Sequence, residues 1–417
     1  MHEIQQTAER ERAILVGLNC REGGEISTDS TMDELEALLE TAQGDTAARV
    51  IQNKTSPDTA TFIGEGKVQE VKQLCELHEV DLVVFDNELS PSQTRCLERD
   101  LGVRVIDRSL LILDIFADRA RTHEGRVQVE MAQYKYILPR LAGLGLSLSR
   151  QGGGGVGVRG SRGGGETKLE TDRRHIRRRI EKLASELEGI RHIRALARDR
   201  REKNEIPVVS LVGYTNAGKS TLFNALAGEN IPARDRLFDT LDTTSRALEV
   251  DGALTVMLTD TVGFIRKLPH HLVEAFRATL DELKYADLLL HVIDASNPEW
   301  AEQAEVVDAL IDELGAGDTP RLRVYNKADL AAVNARDSVS VSAKTGLGLD
   351  DLKIKMAELI DMGIREAEFL LPYNDAGALD LLHREGDVKN IDYRENGIAV
   401  SVVCDRRVYG KVKQYEV

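Results

Sequence analysis

Short apolar runs alternate with amphipathic stretches over the N-terminal part of the chain. The runs AILVGLNC (13–20), ARVIQN (48–53), DLVVFD (81–86) and VRVID (103–107) predict buried strands. Between them, DELEALLETA, GKVQEVKQLCELHEV and SPSQTRCLERDLG have helical spacing, and Ser90 with Pro91 forms a typical helix start. Such alternation is typical of a parallel sheet with crossover helices. We therefore expect a small α/β domain over residues 1–110.

Apolar residues recur at intervals of three and four in the next region, residues 111–205. One run comprises Val127, Met131, Tyr134, Leu138 and Leu141, and a second comprises Ile176, Ile180, Leu183, Leu187 and Ile190. Each run places one apolar stripe on a helix, which predicts a hairpin of two long helices. Between them lies QGGGGVGVRGSRGGGE (151–166), too rich in glycine to build a core. This segment is either a flexible linker or the tip of the hairpin.

The pattern changes again after Pro207. The apolar runs PVVSLVG, ALTVMLTD, ADLLLHVID and RLRVYNKAD predict buried strands, and LVEAFRATLDELKYA and AEQAEVVDALIDELG predict helices between them. This order indicates a doubly wound α/β domain over residues 206–364. The last segment, residues 365–417, contains one helical pattern and the strand-like run GIAVSVVCD, which suggests a helix and one or two strands. We expect a small α+β domain there, so the whole chain is a multidomain α/β protein.

Residues 213–220 read GYTNAGKS and fit the phosphate-binding pattern G-x-x-x-x-G-K-[ST] between a predicted strand and a predicted helix. Glycines let backbone N–H groups surround a phosphate at a helix N-terminus. The lysine then reaches the β- and γ-phosphates, and the hydroxyl after it is a ligand for Mg²⁺. The residues expected to contact the nucleotide here are Gly213, Tyr214, Thr215, Asn216, Ala217, Gly218, Lys219, Ser220 and Thr221. The stretch TFIGEGK (61–67) lacks this spacing and is interpreted as strand, turn and helix.

Two further motifs identify the base as guanine. In NKAD, Asn326, Lys327 and Asp329 follow an apolar strand, and the aspartate can accept from both N1–H and the 2-amino group of guanine. Adenine offers neither donor, so such a site discriminates strongly between the bases. Ser342, Ala343 and Lys344 in VSAKTG fit a loop whose N–H groups meet guanine O6. The sequence therefore predicts a GTP site.

The segment DTVG (260–263) ends the strand TVMLTD and completes the predicted site. Asp260 is expected near Mg²⁺ and Gly263 at the γ-phosphate, with Thr261 and Val262 between them. Where many GTPases carry a glutamine that orients water, this chain has Phe264, so intrinsic hydrolysis should be slow. The alternative is that Phe264 only packs. Asn216 also suggests K⁺ as an additional cation beside the phosphates.

Several segments together resemble one family. GYTNAGKS, LFDTLDTT, DTVGFIR, NKAD and SAK are similar to the HflX-type ribosome-associated GTPases. So are DLVVFDNELSPSQ, VIDRSLLILDIFADRARTHEGRVQVEMAQYKYILPRL and GGETKLETDRR, and the likeness covers nearly all of residues 10–365. The resemblance implies an N-terminal α/β domain with a helical hairpin, binding to RNA of the large ribosomal subunit near the peptidyl transferase centre, and GTP-dependent separation of stalled ribosomes.

The resemblance also assigns roles to residues. It implies that Thr240 contacts Mg²⁺ and the γ-phosphate, so that Ser220 and Thr240 are the metal ligands and Lys219, Thr240, Asp260 and Gly263 are the catalytic set. Thr243 and Thr244 are close enough to compete with Thr240. Two departures affect the expectation. Thr243 stands where the family usually has proline, and the Gly-rich segment RGSRGGGE is longer than is usual.

Charge changes the interpretation of the hairpin. The chain of 417 residues has a formal charge of −15, yet residues 159–201 contain 14 Lys/Arg and only 7 Asp/Glu, including RRHIRRR at 173–179. Charged helices are usually solvated faces, but this reversal favours a polyanion contact, with RNA as the obvious candidate and no DNA expected. The four cysteines are isolated, and no apolar run reaches membrane length, so we expect a cytoplasmic protein without a membrane span.

Two alternatives remain at this stage. The first is a GTPase that assists assembly of the large ribosomal subunit rather than separating finished ribosomes. The second is an RNA-binding factor with a vestigial nucleotide site, which the intact Lys219, Asp260 and Asp329 argue against.

Overall fold

The computed structural model describes most of the chain. The described residues are 10–20, 28–141, 164–203, 206–228, 237–238, 240–241, 244–250, 254–267, 272, 276, 280–331, 333, 335, 337–360, 365–373, 375–394, 397–404, 408–409 and 412–416. The predicted Gly-rich segment with Arg159 and Arg162 lies outside them, apart from its last three residues, and so does Thr243.

The N-terminal domain is the predicted parallel α/β unit. Its strands are β1 (Arg12–Cys20), β2 (Asp45–Lys54), β3 (Leu82–Phe85) and β4 (Arg104–Asp107), in the spatial order β2-β1-β3-β4. The helices are α1 (Thr28–Thr41), α2 (Glu65–His78) and α3 (Pro91–Leu101). Ser90 caps α3 reciprocally with Gln93, as Ser-Pro predicts. Of the elements predicted at 61–67, the structure has a turn and the start of α2, with only an isolated bridge at Phe62.

Three helices follow this sheet. They are α4 (Arg108–Arg119), α5 (His123–Arg140) and α6 (Gly164–Lys203), and α5 and α6 pack together as the predicted hairpin. Leu183 and Leu187 of α6 are buried in one core with Val127 and Met131 of α5, because both apolar stripes face each other. At the edge of this seam, Arg179 donates two hydrogen bonds to Glu130, at 2.9 and 3.0 Å.

A buried aspartate joins the hairpin to the N-terminal sheet. Asp107, at the end of β4, accepts hydrogen bonds from the Tyr136 hydroxyl at 3.0 Å and from Arg140 at 3.2 Å. The same carboxylate also accepts the backbone N–H groups of Leu89 and Leu110. Burial and the Asp107 charge raise the pKa of Tyr136, so its hydroxyl stays a donor. The base of the hairpin is therefore fixed on the sheet.

The nucleotide domain contains a six-stranded sheet. Its elements are β5 (Val208–Gly213), α7 (Lys219–Ala227), β6 (Thr244–Glu249), β7 (Thr255–Asp260), β8 (Leu288–Asp294), α8 (Trp300–Glu313), β9 (Arg321–Asn326), β10 (Ser338–Ser340) and α9 (Leu349–Leu359). The order is β10-β9-β8-β5-β7-β6, and only β6 is antiparallel to its neighbour. The predicted doubly wound fold is confirmed. Of the helix predicted at 272–286, only residues 272, 276 and 280–286 are described, and residues 281–285 form a 3₁₀ turn.

The last segment is a small α+β unit. It has β11 (Arg365–Leu371), α10 (Ala376–Glu385), β12 (Asp387–Arg394) and β13 (Gly397–Cys404), with antiparallel order β11-β13-β12. Phe369, Leu382, Val400 and Val402 form its core. The structure therefore has one strand more than the sequence pattern indicated. Among the described residues, no helix is long and apolar enough to cross a membrane.

One apolar core runs between the N-terminal and nucleotide domains. The Phe116 ring of α4 meets the rings of Phe238 and Phe276 edge to face, with centroid distances of 4.7 and 5.0 Å. All three rings are buried. Edge-to-face pairs of this kind add stabilisation beyond the area that they bury. The two domains therefore share one apolar core and pack directly against each other.

Candidate nucleotide site

The loop between β5 and α7 depends on its two glycines. A Cβ atom on Gly213 would lie 2.2 Å from the carbonyl oxygen of Val292, and one on Gly218 would lie 2.3 Å from Nδ2 of Asn326. Gly218 also has φ of 88°, in the left-handed region that favours glycine. Both positions therefore exclude any side chain. The loop leads directly into the N-terminus of α7, which begins at Lys219 and includes Ser220 and Thr221 in its first turn.

Lys219 is buried at the centre of the site. Its ammonium donates to the carbonyl oxygens of Gly213, at 3.0 Å, and Tyr214, at 2.7 Å. Burial lowers the pKa of Lys219 to about 8, although the nearby Asp260 carboxylate opposes this shift. A bound phosphate would restore a strong preference for the charged form. The two carbonyl oxygens and the Asp260 carboxylate therefore surround the lysine in this structure.

Three oxygen-bearing side chains converge beside this lysine. Oδ2 of Asp260 accepts from the hydroxyls of Ser220, at 2.8 Å, and Thr240, at 3.0 Å, and those two hydroxyls lie 2.6 Å apart. Burial raises the pKa of Asp260. Its other oxygen, Oδ1, is buried and has no hydrogen-bond partner among the described residues. The structure therefore brings together Ser220 and Thr240, the two predicted metal ligands, which come from separate segments.

This donor set suits a hard cation. Mg²⁺ is held in proteins by one or two oxygen ligands, waters and substrate phosphates rather than by a closed protein cage. Within the described ranges, no group of three or more His, Cys, Asp or Glu residues could hold a metal. Hydroxyl and carboxylate oxygens are hard donors, which suit Mg²⁺ better than a softer metal. Ser220, Thr240 and the orphaned Asp260 oxygen fit Mg²⁺.

The segment after β7 lies directly against the phosphate loop. Thr261 donates to the carbonyl of Leu211 at 2.6 Å, which anchors the start of the segment to β5. Further on, Phe264 donates its N–H to Gly213 and accepts the N–H of Thr215 at 2.7 Å. Val262 and Phe264 are buried. The aromatic ring of Phe264 is therefore a packing group in this structure.

Gly263 lies close to the ammonium group of Lys219. A Cβ atom there would approach Nζ of Lys219 to 3.1 Å and Cγ2 of Thr215 to 2.9 Å. Any side chain would therefore displace the lysine or the loop. The structure brings together the four residues of the predicted catalytic set: Lys219, Thr240, Asp260 and Gly263.

Asn326 connects the phosphate loop with the predicted guanine loop. Its Nδ2 donates to the carbonyl of Ala217 at 2.9 Å, and its Oδ1 accepts the N–H of Ala343 at 3.0 Å. The side chain is buried, so these two bonds are shielded from water. Asn326 thus connects the phosphate loop with the VSAKTG loop, which are distant in the sequence. The NKAD motif predicts Asn326 at the base site but does not predict this bridging role.

Asp329 remains exposed at the edge of the same loop. Ser342, itself fully buried, donates to Oδ1 of Asp329 at 2.6 Å, and this bond lowers the pKa of the aspartate. Nζ of Lys327 lies 2.6 Å from Asp294. Lys344 and Asn216 are exposed, and Asn216 has φ of 61°. The predicted base residues therefore lie at one rim, with a charged carboxylate available to a ligand.

The N-terminal domain also contacts the phosphate loop, which the sequence did not predict. The Tyr214 hydroxyl donates to the Glu34 carboxylate of α1 and accepts the N–H of Arg266 at 2.8 Å. Arg266 reaches back to Ser30 of α1 at 3.0 Å and to Glu299 at 2.8 Å. No local sequence signal marks these pairs, because Glu34 and Tyr214 are far apart in the chain.

The fold, the glycine-lined loop, the buried lysine and the guanine-type rim define a P-loop GTPase domain. Family models support this class over most of the chain. One described as "GTP-binding GTPase N-terminal" matches residues 29–117, one described as "GTP-binding GTPase Middle Region" matches 119–201, and one described as "50S ribosome-binding GTPase" matches 208–327.

Curated relatives name the family. GTPase HflX of Caldanaerobacter subterraneus is 48% identical over 95% of this chain and 92% of its own length. GTPase HflX of Escherichia coli is 42% identical over 87% of this chain and 86% of its own. The chain belongs to the GTPase HflX family. A solved GTP-binding protein of Sulfolobus solfataricus, in complex with GDP, is 28% identical over 84% of this chain and 98% of its own, with a TM-score of 0.43.

Proposed function

We propose that this protein is a GTPase that binds the large ribosomal subunit and couples GTP binding and hydrolysis to the dissociation or rescue of stalled ribosomes. The observation that carries the proposal is the joint presence of the convergent Lys219, Ser220, Thr240 and Asp260 and of a basic hairpin whose base is hydrogen-bonded to the N-terminal sheet. The relatives named GTPase HflX and the ribosome-binding family description support the same assignment. The expected location is the cytoplasm, where ribosomes are.

GTP is the nucleotide that fits the rim. Asp329 would accept from N1–H and the 2-amino group of guanine, while the N–H groups of Ala343 and Lys344 would meet O6. Its lowered pKa keeps the aspartate ionised at neutral pH, which strengthens both bonds. At the other end, N–H groups of residues 215–221 and the Lys219 ammonium would surround the phosphates. Asn326 fixes the distance between the two ends through Ala217 and Ala343.

Mg²⁺ would be held by the hydroxyls of Ser220 and Thr240, with Asp260 acting through water. When bound, the ion neutralises charge on the β- and γ-phosphates. Both hydroxyls donate to Oδ2 of Asp260, which leaves the lone pairs of their oxygens for the ion. The carboxylate must also be ionised, and removal from water raises its pKa. The positive charge of Mg²⁺ would therefore favour the ionised form of Asp260.

Hydrolysis is expected to be slow in the isolated protein. Phe264 has no group to orient water, and its ring is buried away from solvent. Lys219 and the N–H of Gly263 would stabilise charge on the γ-phosphate, which accounts for part of the catalysis in such enzymes. The missing group would then come from a partner, and the ribosome is the natural source. K⁺ held at Asn216 is an additional candidate for positive charge near the phosphates.

The hairpin supplies the proposed ribosomal contact. Arg174, Arg177 and Arg178 are exposed on α6, whereas Arg179 and Arg194 are paired with Glu130 and Glu124. The first three are therefore available to phosphate groups of ribosomal RNA near the peptidyl transferase centre. The Gly-rich segment 151–166 would extend this contact.

One experiment separates this proposal from its alternatives. Multiple-turnover GTP hydrolysis is measured for the protein alone and with mature large subunits, whole ribosomes or assembly precursors. Dissociation of the ribosomes into subunits is followed by sedimentation. Stimulation by mature ribosomes together with their dissociation supports the proposal. Stimulation by precursors alone would favour a role in subunit assembly. No turnover under any condition would favour an RNA-binding factor with a vestigial site.

A further inference from the structure

The carboxyl ends of β3 and β4 carry a buried set of charged residues. Arg108 is 2% exposed and donates to Asp86 at 2.7 Å and to Glu34 of α1. Asp86 is as deeply buried as Arg108. Ligands of open α/β sheets bind at this carboxyl edge. In this protein the nucleotide domain occupies it, since Lys267 pairs with Asp86 and the Tyr214 hydroxyl pairs with Glu34.

Tyr214 connects three parts of the molecule through one side chain. Its backbone belongs to the phosphate loop and accepts from the Lys219 ammonium at 2.7 Å. Its hydroxyl accepts the N–H of Arg266, three residues after Gly263, and donates to Glu34. The side chain is 5% exposed, and burial with the Glu34 charge raises its pKa, so the hydroxyl keeps its proton.

The segment 263–267 is thereby held on two sides. Backbone bonds of Phe264 attach it to the phosphate loop, and Arg266 and Lys267 attach it to α1 and β3 of the N-terminal domain. A γ-phosphate that draws the N–H of Gly263 would shift the same segment. Since Arg266 shares the Tyr214 hydroxyl with Glu34, such a shift cannot leave the α1 contact unchanged.

We propose that the Tyr214 hydroxyl and Glu34 relay the presence of the γ-phosphate from the segment 263–267 to the N-terminal domain, where Arg108 connects Glu34 with Asp86. The inference rests on the GTP-binding part of the proposed function and is independent of the ribosome. The relay requires that the contact between Tyr214 and Glu34 differ between the GDP-bound and GTP-bound protein, because coupling between two sites depends on contacts that differ between two states.

Hydrogen exchange of the full-length protein tests the relay with GDP and with a non-hydrolysable GTP analogue, both at saturation. In the wild type, exchanging GDP for the analogue should change exchange rates in peptides from α1 and the β3 and β4 ends by about fivefold, the effect of one hydrogen bond. In Tyr214→Phe this difference should disappear. Glu34→Ala lies outside the phosphate loop and should lose it too, with GDP affinity within about twofold of wild type.

Tyr136→Phe is the matched control. It removes an equally buried tyrosine hydroxyl from an N-terminal carboxylate, Asp107, without touching the nucleotide domain. Its α1 peptides should respond to the analogue as in the wild type. A response that persists in both Tyr214→Phe and Glu34→Ala overturns the relay, as does a wild type without one. If peptides 213–221 are not protected by either nucleotide, the GTP site itself fails and the relay falls with it.

Discussion

The exposed arginines of the hairpin allow a quantitative test of RNA binding. Replacing Arg174, Arg177 and Arg178 by Gln removes three positive charges that are exposed on α6. Arg179 is kept, because its two bonds to Glu130 hold the hairpin together. Helical propensity of Gln is close to that of Arg, so α6 should persist. The substitution therefore isolates charge from structure.

Counterion release sets the expected magnitude. Each phosphate contact contributes about 0.7 to 0.9 to the slope of log K against log salt, so three lost contacts flatten the slope by about 2 to 2.7. At 0.15 M salt, a typical physiological concentration, the same loss weakens association by about 100-fold. Extrapolated to 1 M salt, the two proteins should bind equally.

The assay is equilibrium binding to purified large subunits in the presence of a non-hydrolysable GTP analogue, at four or more salt concentrations. A matched control changes Arg95, Arg99 and Arg384 to Gln. These three arginines are also exposed, but they lie on α3 and α10, away from the hairpin. The control should keep the wild-type slope. Equal weakening in both triple variants, or an unchanged slope in the hairpin variant, would refute the assignment of RNA contacts to this face.

Three further predictions concern the nucleotide site. Asp329→Asn should weaken GTP binding by about 100-fold and gain affinity for xanthosine triphosphate, because two charge-assisted bonds to guanine are lost; unchanged GTP affinity would contradict the base assignment. Hydrolysis should be faster in K⁺ than in Na⁺ at equal ionic strength if Asn216 helps to hold a cation, and equal rates would remove K⁺ from the mechanism. The pKa of about 8 for Lys219 should rise when phosphate binds. Nucleotide binding should therefore take up a proton above pH 8, measurable by calorimetry in buffers of different ionisation enthalpy, whereas binding at pH 6.5 should not.

The same lysine has a consequence for the nucleotide-free protein. Its folded pKa lies below the unfolded value of 10.5, so between about pH 8 and 10.5 the unfolded chain binds more protons. The contribution of Lys219 to the free energy of unfolding must therefore rise with pH across that window. A bound phosphate would raise the pKa of Lys219 again. The nucleotide should therefore stabilise the folded protein most below about pH 8, where Lys219 is charged.

Motifs with short spacing were predictable because their geometry is local. Gly213 and Gly218 are required because neighbouring atoms lie too close to leave room for a Cβ atom. The structure has the loop at the residues where the pattern predicts it. The hairpin followed from periodicity, and Leu183 and Leu187 are buried as the stripe predicts. By contrast, β12 (Asp387–Arg394) was missed because it is an edge strand with mostly exposed side chains. Without a buried face, no alternation marks a strand in the sequence.

The burial and the partners of charged residues could not be predicted from the sequence. Arg178 and Arg179 are neighbours in RRHIRRR, yet one is exposed and the other holds Glu130. Arg108 follows an apolar strand in a position typical of a solvated helix start, but it is 2% exposed with partners from two other segments. Because burying a charge is costly without partners, a buried arginine requires acids that only the tertiary fold supplies. Such residues therefore mark contacts between segments: Arg108 connects α1 with the carboxyl end of β3, and Arg266, which is 4% exposed, connects the nucleotide domain with α1.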